Sequence, residues 1–142
     1  MALVEQHWNA PFSVQPISGA HVKTIARRRL DPQVASQIVT SSGVSLQPDP
    51  LAALAHVQVA LFDLCYLDQA TAARRQQKLP KSRHFEHSKI LIPFASVVAD
   101  HCLLVVFTES AGDQNAVRFI EGFPAQWREI SPKSKPQTGI DG

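Results

Sequence analysis

Residues 101–108, HCLLVVFT, constrain this chain more than any other stretch. Cys102 to Phe107 is apolar at every position, so neither face of a strand there can lie in water. Such a strand belongs in the middle of a sheet, with a neighbour on each side. The rest of the chain must supply those neighbours.

The segment before it has a strand period. In residues 85–94, FEHSKILIPF, the positions Ile90, Ile92 and Phe94 share one face. Ile90, Ile92, Leu104 and Val106 are therefore expected in the core of one antiparallel sheet. Residues 110–113, SAGD, read as a hairpin turn, and residues 116–123 as a third, returning strand. Residues 124–130 form a short terminal helix around Trp127.

Nearer the N-terminus the pattern changes. Residues 12–17 alternate and read as a short edge strand, because Pro16 cannot donate to a ladder. Residues 21–28 place Val22, Thr24 and Ala26 in period two and read as its partner. Asp31-Pro32 and Asp49-Pro50 look like helix starts. The carboxylate can cap free N–H groups, and proline loses nothing at the first helical position. Val34, Ile38 and Val39 then share a face, and Ser41-Ser42-Gly43 ends the first helix. The second helix is expected from Pro50 to about Lys78, broken near Asp68 and ended by Pro80. Residues 57–67 are apolar enough to be a buried strand instead.

Length and composition bound the function. The 142 residues make one domain, divided into an arm at 1–10, a folded unit at 11–130 and a disordered polar tail at 131–142. Lys and Arg exceed Asp and Glu by 14 to 12, a net charge of +2 that does not point to nucleic acid. No stretch reaches the ~18–20 apolar residues of a membrane span. The start carries Glu5, Gln6 and His7 rather than a basic start and an apolar run, so no secretory signal is expected. Cys65 and Cys102 each sit among apolar residues. They are expected as small buried hydrophobes rather than a disulfide framework, which fits a cytoplasmic protein.

Residues 85–94 followed by 100–107, DHCLLVVF, together with the helix start Arg29-Leu-Asp-Pro32, resemble PAS-like domains of proteobacterial type. The resemblance implies an α+β fold in the order ββααβββ, a five-stranded antiparallel sheet with helices on one face. It also implies a signalling module that works by protein–protein interaction.

Among candidate site residues, His56 and His101 are the histidines best placed for a small-ligand or haem pocket, with Cys65 beside them. His84 and His87 point to opposite faces of a strand, and His101 and Cys102 alternate across the sheet, so no convergent metal site is expected. Arg74, Arg75, Lys78, Lys81 and Arg83 form a basic cluster at a helix end, a docking surface for an acidic partner. Trp8, Phe119, Phe123 and Trp127 are more aromatic surface than a small monomer leaves in water, which points to a homodimer interface. No Gly-rich phosphate loop and no Gly-x-Ser-x-Gly elbow appears. The leading expectation is a non-catalytic, cofactor-free interaction module. A ligand or haem sensor on the same fold is the first alternative, and a small enzyme using His101 or His84 the second.

Overall fold

The apolar run is a strand, and it lies between two antiparallel neighbours. The computed structural model describes residues 2–31, 33, 37–48 and 57–130. Along these the order is α1 (Ala2–Trp8), β1 (Phe12–Ile17), α2 (Gly19–Arg29), β2 (Thr40–Pro48) and β3 (Val59–Cys65). The remaining elements are α3 (Gln69–Gln77), β4 (His84–His87), β5 (Ile90–Ala99), β6 (Cys102–Phe107) and α4 (Gln114–Ile130). One six-stranded antiparallel sheet runs β1-β2-β3-β6-β5-β4, so the class is α+β with one strand more than expected.

β6 is apolar on both sides because helices cover both faces of the sheet, not one. Phe62, Leu64, Leu103, Val105 and Phe107 face Val22, Ala26, Leu30, Ala72 and Leu79 of the α2 and α3 layer. Leu46, Val59, Val97 and Val106 face Leu3, Val4 and Trp8 of α1 and Ala116, Phe119, Ile120 and Phe123 of α4. Residues 2–8 are thus a docked helix rather than a loose arm. His7 Nε2 lies 3.1 Å from Asn115 O and 3.0 Å from Asn115 Oδ1, tying α1 to the start of α4.

Several expectations change, each for a local reason. Residues 21–28 belong to helix α2. Ser18 Oγ accepts from His21 N at 3.2 Å, and Val22, Ala26 and Leu30 are buried at a spacing of four. The glycine expected to stop a helix is inside β2. A Cβ on Gly43 would stand 2.7 Å from Val22 Cγ2, so glycine lets α2 approach the sheet there. Residues 59–65 are strand β3, which is the alternative reading of the apolar stretch. Asp68 caps α3, accepting from Thr71 N at 2.8 Å, and hydrogen bonds from Thr71 hold its carboxyl below the usual range. Residues 116–123 are helix, not a returning strand. Asp113 Oδ1 accepts from Asn115 N and Ala116 N at 2.9 and 3.2 Å, and α4 runs unbroken through Pro124. Residues 85–94 divide into the hairpin of β4 and β5, which leaves Ile90 53% exposed, while Ile92, Leu104 and Val106 are core. Pro32, Val34, residues 49–56 and the tail at 131–142 lie outside the described residues.

A buried ion pair joins the α2 end to α3. Arg75 Nη1 is 3.1 Å from Asp31 Oδ2, with both side chains almost fully enclosed. Burial, reinforced by the Asp31 charge, pushes the hydroxyl of the neighbouring Tyr66 well above the usual phenol range.

Candidate functional site

Strand lengths create a recess beside β5. β5 has ten residues and β4 has four, so β4 pairs only with residues 90–93 of β5. One further bond, from Phe94 N to Arg83 O at 3.0 Å, ends the pairing. Because successive residues of a strand direct their backbone groups to alternate sides, Ser96 and Val98 present theirs on the same open side as Phe94. Gln76 of α3 reaches this edge, and its Nε2 donates to Ser96 O and Ser96 Oγ at 3.3 and 3.1 Å.

Around the open edge is a groove of about 750 Å³. Its floor includes Leu79, Phe94, Ala95 and Ile120, and its rim carries Lys81, Arg83, His84, Glu121 and Arg128. Three cations thus stand against one carboxylate. Neither Arg83 nor Arg128 forms an ion pair with a described residue. Arg83 has φ 62°, a conformation uncommon outside glycine, and it is held there by Arg83 N donating to Pro80 O at 3.1 Å.

The basic cluster read from the sequence is therefore divided. Arg75 is buried with Asp31 and takes no part in docking. Arg74, Lys78, Lys81 and Arg83 are exposed, and of these Lys81 and Arg83 line the groove. Arg128, Gln76 and Ser96 join them from elsewhere. The sequence carries no sign of Arg128, because a strand at 116–123 followed by a separate short helix would not place it beside the groove.

The aromatic group does not form an exposed face. Trp8, Phe119 and Phe123 are buried inside the chain, and Trp127 stacks on Phe123 with ring centroids 6.0 Å apart. Chain-internal packing of α1 on α4 covers the surface that had suggested a dimer. His56 lies outside the described residues. His101 sits in the turn between β5 and β6 with its side chain half-exposed, away from the groove.

Cys65 and Cys102 are bonded to each other, not separate buried thiols. They are directly opposite in the β3–β6 register, with Cα atoms 4.0 Å apart. The ligand atoms of Cys65, Cys102 and His101 all lie within 4.8 Å of one another. This corrects the expectation that His101 and Cys102 must diverge: His101 is in a turn, where strand alternation does not apply. Asp63 Oδ1 lies 3.5 Å from Cys65 Sγ. Burial pushes the Asp63 carboxyl up, and nearby His101 partly opposes this.

No helix among the described residues is long and apolar enough to cross a membrane. No protein-family model, curated protein or solved structure matches this chain.

Proposed function

We propose that this chain is a non-catalytic interaction module that binds an extended acidic segment of a partner protein along the open half of β5. The observation that carries this reading is that β5 has no strand partner beyond Phe94 on its β4 side, where it lines a basic groove. A partner segment adding to that edge gains main-chain hydrogen bonds, and its alternate side chains fall into the flanking recesses. Lys81, Arg83 and Arg128 supply charge-assisted bonds to its carboxylates. Gln76 holds the edge meanwhile, its carboxamide standing in for the N–H of a missing strand. A cytoplasmic signalling role, with a signalling protein as the partner, follows from the PAS-like resemblance and fits a domain that offers one recognition edge.

The test is a set of extended peptides with Asp or Glu at alternate positions, titrated against the full chain by fluorescence polarisation. Ser96→Pro removes an N–H on the open side without touching the β6 ladder, and is expected to abolish binding. Arg83→Glu with Arg128→Glu should weaken it by roughly tenfold or more, a loss of ~1.4 kcal/mol. Peptide affinity unchanged in both variants would remove the edge as the binding site.

A further inference from the structure

We infer that Cys65, Cys102, His101 and Asp63 form a zinc site when the two cysteines are reduced. The four groups come from two adjacent strands and the turn that leads into one of them. Cys65 and Asp63 are two residues apart on β3, so their side chains share a face. Cys102 stands opposite Cys65 across the ladder. His101 brings its imidazole to the same place from the turn after Asp100, whose φ is 58°.

The donor set selects the ion. Two thiolates, one imidazole and one carboxylate make a four-coordinate site suited to zinc, whereas magnesium and calcium prefer oxygen alone. The ligand atoms of Cys65, Cys102 and His101 lie within 4.8 Å of one another, and Asp63 Oδ1 is 3.5 Å from Cys65 Sγ, so side-chain rotations can bring the four toward an ion at ~2.0–2.3 Å. Asp100 Oδ2 lies 3.6 Å from His101 Nδ1, where a carboxylate can orient the ring of a liganding histidine. Cys102 is only partly buried and His101 is exposed, so an ion has a path from solvent.

Disulfide and zinc are then alternative ways to clamp β3 to β6 at one point. A dithiol reductant delivers two electrons and two protons to the Cys65–Cys102 bond, leaving two thiols and becoming a disulfide itself. Zinc binding releases both thiol protons to solvent. A peroxide reverses the change: it takes two electrons from the thiolates and, with two protons, leaves as two waters while the sulfurs bond and the ion departs. In a reducing compartment the zinc form is the resident one.

The experiment uses the full chain, reduced with a phosphine that is then removed, and titrated with Co²⁺ and then Zn²⁺. One equivalent of Co²⁺ should give a thiolate-to-metal charge-transfer band that Zn²⁺ abolishes, while the unreduced chain shows no band. Cys102→Ser should lose most of that band. His101→Ala and Asp63→Asn should bind Zn²⁺ at least ~10-fold more weakly, since losing even a ligand's hydrogen-bond partner typically costs that much. His21→Ala, exposed on α2, should bind as the parent does. A reduced chain with no charge-transfer band, a reduced chain that has lost its far-ultraviolet circular dichroism, or full zinc affinity in His101→Ala would each overturn the inference.

Discussion

The two helical layers hold to the same sheet by different physics. On one face, α1 and α4 lay down a run of rings. Trp8 meets Phe119 at 5.3 Å between centroids, Phe119 meets Phe123 at 6.1 Å, and Phe123 meets Trp127 at 6.0 Å. On the other face, α2 buries Val22 and Ala26 and α3 buries Ala72 and Arg75, with Leu30 and Leu79 buried just past their ends. That second layer presents smaller apolar side chains than the first and also encloses the Arg75–Asp31 pair. A strongly amphipathic helix docks by area, whereas a polar helix needs a specific tie.

The contrast can be broken at its two anchors. Phe119, fully buried, should lose ~3–5 kcal/mol on truncation to Ala, read by urea unfolding, through lost transfer energy and the cavity left behind. A small loss would mean that area is not what holds α4. Asp31→Leu should cost a similar ~3–5 kcal/mol, because Arg75 stays buried without its partner. Adding Arg75→Met to it should recover most of that loss. If the double variant is no better than the single, packing around Asp31 matters more than charge.

Smaller effects sharpen the picture within one strand. Ile92 is buried and Ile90 is exposed, two positions along β5. Ile92→Ala should cost ~2–5 kcal/mol. Ile90→Ala should stay within about 0.5 kcal/mol of the parent, as most exposed substitutions do. Equal losses would show that the hairpin tip is covered in solution.

The smallest expected effect is at Asp63, on the α1 and α4 face of β3. Its carboxyl is pushed above the ordinary value by burial, so the folded state holds that proton more tightly than the unfolded chain does. The contribution favours folding in acid and is lost as pH rises through the folded-state value. Asp63→Asn in the disulfide form should therefore melt at a higher temperature than the parent at neutral pH. That gap should close as the pH falls below the carboxylate range. A gap independent of pH would remove burial of the charge as its cause.

Some of this was legible in the residues. A run apolar at every position from Cys102 to Phe107 can only be covered on both sides, and β6 is central for that reason. Pro16 marked β1 as an edge, and the helix-favouring run before Pro80, with Asp68 ahead of it, is α3. Short windows misled wherever two periods fit the same residues. Val22, Thr24 and Ala26 suit a strand, while Val22, Ala26 and Leu30 suit a helix, and only the sheet beneath decides which set is buried. In α4 the spacing of Ala116, Phe119, Ile120, Phe123 and Trp127 was a helical signal that the glycine-containing turn before it had obscured.

Local reading named Lys81, Arg83, His101 and Cys65, but not the groups they meet. Arg75 leaves the basic surface because Asp31, 44 residues away in the chain, meets it inside the fold. The groove exists because β4 stops short of β5 and because α3 and α4, from distant parts of the sequence, flank the uncovered length. Cys65 reaches Cys102 across 37 residues only in the observed β3–β6 register, and a slip of one residue would turn either cysteine to the other face. Sequence determined which segments had to be covered, because burial follows from the side chains themselves. Tertiary structure decided which polar groups meet, because that depends on register and on elements far apart along the chain.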